Sequence, residues 1–190
     1  MVKDVLHAAG LVLAIKKDDA QIITPLNTKG RINATNINSS FIPIAAKAQK
    51  FSPGDKVIQQ VNHWQRSLTG PESRQGVFNG MMGTYRANNI IDLFPPDNGW
   101  SFKMKEGEVD HAFCITVHKS QGSEWDIVVV VLPKECANFT SKELLYTALT
   151  RPVKRLILLI ERDFDLLLAS RRSELDGRKS LLFRETEKVG

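Results

Sequence analysis

The eleven residues Ile115-Thr116-Val117-His118-Lys119-Ser120-Gln121-Gly122-Ser123-Glu124-Trp125 gather chemistry-bearing side chains between two apolar runs. Thr116, His118 and Ser120 can donate to phosphate oxygens, and Lys119 adds a positive charge. Gln121 and Glu124 suit a sugar hydroxyl. Gly122 permits close approach of backbone to a ligand, or a positive φ. The spacing predicts a strand over Ala112–Val117 and another from Ile127, with the loop at a carboxyl end, where parallel-sheet proteins bind ligands. A second stretch, Leu145-Tyr146-Thr147-Ala148-Leu149-Thr150-Arg151-Pro152, sets an arginine at the end of a helix. Arg151 there either offsets the helix dipole or, aimed at a phosphate, stabilises developing negative charge.

The elements that must carry these groups follow from pattern. Gln21–Thr24 reads as a buried strand closed by Pro25. Val2, Val5, Leu6, Ala9 and Leu13 have helical spacing, and Ile32–Phe41 is compatible with a helix facing inward at Ile37 and Phe41. Ile127–Leu132 is the β-branched run of a parallel strand buried on both faces. Thr140–Thr150 reads as a helix, with Thr140 and Glu143 as its capping box and Leu144, Leu145, Ala148 and Leu149 as its apolar face. Leu156–Ile160 reads as another buried strand, and Phe164–Ser170 as the start of a last helix. Strand and helix alternate, so the class is α/β. From Phe51 the texture changes. Ser52-Pro53-Gly54-Asp55, Gly70-Pro71, Asn79-Gly80 and Asp97-Asn98-Gly99 separate the short runs Lys56–Val61, Thr84–Arg86, Ile90–Phe94 and Trp100–Met104. That is the pattern of a small β-barrel or β-rich insert. The expected division is a parallel-sheet lobe in two pieces, 1–50 and 109–175, an insert over 51–108, and a polar tail over 176–190.

A chain of 190 residues, 42% hydrophobic and 25% charged, has the composition of a soluble globular protein. Neither Ile127–Leu132 nor Leu156–Ile160 reaches the roughly 20 apolar residues of a membrane span. The N-terminus lacks the order of a secretory signal, so the expectation is a cytoplasmic protein without a membrane partner. The net charge of +5 is concentrated in residues 1–50, which hold seven Lys/Arg against three Asp/Glu. It either serves solubility or attracts nucleic acid.

These residues carry a resemblance. Thr116-Val117-His118-Lys119-Ser120-Gln121-Gly122-Ser123-Glu124 closely resembles motif V of superfamily 1 helicases, and Tyr146-Thr147-Ala148-Leu149-Thr150-Arg151 resembles motif VI. Ile23-Thr24-Pro25-Leu26-Asn27, with Asn33 and Asn36, is similar to the motif IV region. Phe51-Ser52-Pro53-Gly54-Asp55-Lys56-Val57 and Val77-Phe78-Asn79-Gly80 resemble the SH3-like insert of RecD-type helicases. The resemblance covers about Gln21 to Ser173. It implies a RecA-like lobe, of the C-terminal type found in P-loop helicases, interrupted by an SH3-like β-barrel, in an ATP-dependent 5′-to-3′ DNA helicase.

By that resemblance Arg151 would be the arginine finger on the γ-phosphate. Gln121, Gly122 and Glu124 would lie near the nucleotide, with Glu124 toward the ribose. Thr24, Asn36, Thr116, His118 and Lys119 would contact single-stranded DNA. ATP with Mg²⁺ would bind mainly to another, N-terminal RecA-like lobe, in the same or a partner chain. No G-x-x-x-x-G-K-[ST] occurs in this sequence, so this chain alone is expected not to hydrolyse ATP. A RecBC-like partner complex and a solitary helicase are both compatible with the resemblance. So is a non-enzymatic nucleic-acid-binding module acting with a partner. Two departures bear on the roles. Met81 stands where the family has an acidic residue after Asn-Gly. Pro152 follows the finger and biases Arg151 away from the α region.

Weaker signals remain. His111, Cys114, His118 and Cys136 lack zinc-ligand spacing, so no metal site is expected. Trp64, Phe78, Tyr85 and Trp100 either stack on bases or form the insert's own core.

Overall fold

A computed structural model describes residues 20–42, 50–69, 74–94, 100–105, 107–138, 140–161 and 173. The helices expected over Val2–Leu13 and Phe164–Ser170, and the polar tail, lie outside the described residues.

Four parallel strands form the first sheet: β1 (Ala20–Thr24), β9 (Cys114–Thr116), β10 (Trp125–Leu132) and β11 (Pro152–Ile160), in the order β11-β10-β1-β9. Val128 to Leu132 are at most 1% exposed because β10 is flanked by strands and covered on both faces. Its side chains alternate between two cores, as strand geometry demands. Val128, Val130 and Leu132 pack with Leu144, Leu145 and Ala148 of helix α2 (Lys142–Leu149). Val129 and Val131 pack on the other face with Ile37 of α1 (Ala34–Phe41). Each such aliphatic side chain contributes about 1.5–3 kcal/mol by leaving water, so a charge at Val130 would break the lobe. This is a mixed α/β fold built on a four-stranded parallel sheet.

Short strands make up the rest: β2 (Lys56–Gln59), β3 (His63–Arg66), β4 (Arg74–Val77), β5 (Met82–Arg86), β6 (Ile90–Leu93), β7 (Ser101–Lys103) and β8 (Val109–His111). Five pair antiparallel in the order β7-β6-β5-β2-β8, and β3 and β4 form a separate hairpin. Phe51, Val57, Tyr85, Leu93, Phe102 and Val109 supply their shared core. The antiparallel sheet runs on to His111, because Val57, Ile58 and Gln59 pair with residues 109–111.

Three expectations need correction. The N-cap of α2 is Ser141, not Thr140: the Ser141 hydroxyl accepts from Leu144 N at 3.1 Å, whereas Thr140 donates to Cys136 O at 2.7 Å. The Thr140–Glu143 capping box is therefore absent, since the helix starts one residue later. Leu149 is 36% exposed, having rotated out of the apolar face near the helix end. β11 begins at Pro152 and is not buried. It lies at the sheet's edge, with Leu156, Leu158 and Ile160 37, 39 and 41% exposed among the described residues.

Candidate functional site

The loop 117–124 leaves β9 at the carboxyl end of the sheet and enters β10 at the amino end. Thr24 pairs with Thr116, and Ala20 pairs with Ile127, so Trp125 lies six residue positions below Thr116. At about 3.3 Å per residue the loop spans about 20 Å. The sequence pattern predicts its polar groups at one carboxyl end. The register divides them between two ends, with His118 and Lys119 near the first and Ser123 and Glu124 near the second.

At the first end a single 3₁₀ turn, His118–Ser120, follows β9. Its geometry is set locally. Thr116 Oγ1 accepts from Lys119 N at 3.3 Å, and Ser120 Oγ donates to Val117 O at 2.7 Å. That bond buries Ser120, which presents no hydroxyl to a phosphate. His118 is exposed and Lys119 is half-buried. Thr116, Lys119, Thr35, Asn38 and Gln60 line a pocket of about 240 Å³ between α1, β9 and β2.

The motif IV residues divide. Thr24 is fully buried, so the strand contact expected of its side chain is not available in this geometry. Pairing on both sides of β1 holds it inside the sheet. Asn36 is exposed, and its amide donates to Arg31 O at 3.1 Å. Asn33 caps α1 by accepting from Asn36 N at 2.8 Å. The sequence reading passed over Asn38. Its side chain donates to His111 O and Cys114 O at 3.1 and 2.9 Å and accepts from Cys114 N at 2.7 Å, locking α1 to β9. An asparagine within the polar run of a helix carries no sequence signal of that kind.

At the second end Gly122 adopts φ +83°, a conformation that side chains rarely take, and a Cβ there would meet nothing. Gln121 and Glu124 are exposed. Arg151 is held beside this segment by its backbone: Trp125 N donates to Arg151 O at 3.2 Å as β10 and β11 begin. The Arg151 guanidinium donates from Nε to Thr147 O at 2.9 Å, from one terminal nitrogen to Ser123 O at 3.2 Å and from the other to Thr150 Oγ1 at 3.0 Å. Among the described residues these bonds use three of its five N–H groups. The two others, one on each terminal nitrogen, can meet an anion. The structure thus brings Arg151 to the Gln121–Glu124 segment and leaves Thr116, His118 and Lys119 at the opposite end.

A cleft of about 840 Å³ runs beside this loop. His118, Gln121 and Glu124 line it together with the Asn79-Gly80-Met81 turn and Phe94. Lys119 Nζ donates to Gln60 Oε1 at 2.8 Å and ties the loop to the β2–β3 connection.

The cysteines belong to the cores. Burial pushes the Cys136 thiol up to about 11 and raises Cys114 as well. Among the described residues, no group of three His, Cys, Asp or Glu is arranged to hold a metal ion. Among them, too, no helix is long and apolar enough to cross a membrane.

Known proteins match this chain in the same region. The family described as UvrD-like helicase C-terminal domain matches residues 111–159. An uncharacterised protein of Methanocaldococcus jannaschii, MJ1519, is 36% identical over 201 residues, covering 89% of this chain and 17% of its own length. The ATP-dependent RecD2 DNA helicase of Deinococcus radiodurans is 28% identical over 142 residues, covering 69% of this chain and 18% of its own length. The chain therefore spans less than a fifth of these curated relatives. In fold it is similar to the Pif1 helicase from Candida albicans, with TM-score 0.50 and 14% identity over 97% of this chain and 57% of that one.

Proposed function

Because residues 111–159 match the UvrD-like helicase C-terminal domain, we propose that this chain is the second motor lobe of an ATP-dependent 5′-to-3′ DNA helicase. The observation that carries this reading is the attachment of Arg151 to Ser123 O at 3.2 Å, which joins the motif VI arginine to the motif V loop. In this reading Arg151 is the arginine finger, and its two remaining N–H groups meet the γ-phosphate. Gln121, Gly122 and Glu124 border the nucleotide. At the other end of the loop, Thr116, His118 and Lys119 meet the backbone of single-stranded DNA, with Asn36 beside them. The lobe is the discontinuous unit 1–50 and 109–175, except that Val109–His111 pairs into the antiparallel sheet, which is its SH3-like insert.

ATP supplies a phosphoryl group whose transfer, with Mg²⁺, develops negative charge on the phosphate oxygens. The residues here fit one edge of that group. Arg151 offers a held cation, whereas the sequence has no phosphate-cradling glycine loop with Lys-Ser/Thr. An N-terminal RecA-like lobe, in the same or a partner chain, would hold the remaining phosphates and the metal. This chain's own part is to orient Arg151 through Thr147, Thr150 and Ser123, and to hold a strand about 20 Å away along the same loop.

The test is Arg151→Ala in the intact protein. DNA-stimulated ATPase should fall by about 10³-fold or more, while single-stranded DNA binding persists. Unchanged ATPase would overturn the finger. Unwinding of substrates with a single 5′ or 3′ overhang tests the direction of movement.

A further inference from the structure

Of the four insert aromatics whose roles were open, the structure puts Tyr85 in the core and packs Trp100 against it. It leaves the other two outside. Trp64 is 64% exposed and Phe78 42% exposed, and their rings meet edge to face with centroids 5.9 Å apart. Glycine makes this pair possible. Gly76 stands opposite Trp64 in the β3–β4 ladder, and a Cβ there would come within 2.2 Å of the Phe78 ring. Two large apolar rings held together on an exposed face cost solubility and serve no described core.

Their surroundings say what suits them. Exposure alternates along β3, so exposed Arg66 shares the face of Trp64. A ring with a flanking guanidinium group fits a base and a phosphate together.

The hairpin also joins the cleft at both ends. Gln60, which accepts from Lys119 at 2.8 Å, lies four residues before Trp64, or about 13 Å at most along a strand. Phe78 directly precedes the Asn79-Gly80-Met81 turn, which lines the cleft together with His118. Asn79 N, donating to Asn62 Oδ1 at 2.6 Å, closes the hairpin's base beside that wall.

We propose that Trp64 and Phe78 form a base-stacking platform for single-stranded nucleic acid, extending its path from the His118–Lys119 turn onto the β3–β4 hairpin. The proposal rests on the reading of that turn as a strand contact. Bases stack on the Trp64 face, and Arg66 meets a phosphate.

The experiment is titration of the protein with fluorescein-labelled oligodeoxythymidylate, read by anisotropy at several salt concentrations. Trp64→Ala should weaken binding by about tenfold with little change in salt slope, and Trp64→Phe should restore most of it. Arg66→Ala should lower the salt slope by about 0.7. Gly76→Ala, which displaces the Phe78 ring, should weaken binding as Trp64→Ala does. If Lys119→Ala weakens binding while Trp64→Ala does not, the platform is overturned and the strand contact at the turn stands. If no variant changes binding, both fall. A photo-crosslinker placed at position 64 should label the oligonucleotide. Labelling of another protein segment instead overturns the proposal.

Discussion

Lys119 donates to the Gln60 side chain at 2.8 Å, so the loop of the parallel-sheet lobe is bonded directly to the connection that leads into the β3–β4 hairpin. This bond crosses between the two sheets, and its partners lie 59 residues apart in sequence. Gln60→Leu and Lys119→Met should each destabilise the protein by about 1.5–3 kcal/mol, as for a hydrogen bond to a charged group. The double variant should cost less than the sum. Urea unfolding of the four proteins gives the cycle, and strict additivity would show that the bond contributes nothing.

A second junction between the sheets is sensitive to acid. His111 Nε2 lies 3.3 Å from Asp55 Oδ2, and the ring lies between Phe51 and Phe113, with centroids 4.6 and 5.9 Å away. Burial holds its pKa below the ordinary 6.5, against the opposing pull of Asp55, with Lys50 and Asp110 nearby. The unfolded chain therefore takes up the proton first as pH falls. The stability contributed by neutral His111 is complete above about pH 6.5 and is lost as pH falls toward the lowered folded value. Unfolding midpoints should drop from pH 7.5 to 5.5, and His111→Gln should flatten that drop. Asp55→Asn removes the group that raises the pKa and should steepen it.

The start of α2 separates two neighbouring hydroxyls. Ser141→Ala removes the cap on Leu144 N and should cost about 1 kcal/mol. Glu143→Gln should leave the cap itself intact, because the box expected with Thr140 does not form. Thermal unfolding compares the two. A larger loss with Glu143→Gln would return the cap to residue 140.

Both thiols are fully enclosed, and burial holds Cys136 near 11 with Cys114 raised as well. Thiolate is the reactive form, so neither should react with a disulfide reagent in the native protein at pH 8. Both should react after denaturation. Rapid native labelling of either would show that its core opens.

Local patterns were enough for much of this molecule. The β-branched run of β10 declared a strand buried on both faces, because only a central parallel strand buries consecutive side chains. The Thr116–Glu124 segment and the Arg151 stretch stood out by residue type as candidates, and the α/β class followed from the order of elements. The β3–β4 hairpin escaped notice because His-Trp-Gln-Arg and Arg-Gln-Gly-Val lack an alternating apolar face.

Other properties depend on which strands become neighbours. Thr24 reads as a polar residue at a strand end, yet pairing on both sides buries it completely. Trp64 and Tyr85 read alike, and strand pairing decides which one the core receives: Tyr85 lies in the five-stranded sheet, whereas Trp64 lies on the separate β3–β4 hairpin. The sequence by itself determined which side chains could do chemistry, since that depends on residue type and near neighbours. Register between strands far apart in the chain decided where they stand. It set His118 and Arg151 at opposite ends of one loop, because hydrogen-bond pairing across β9, β1 and β10 fixes height along the sheet.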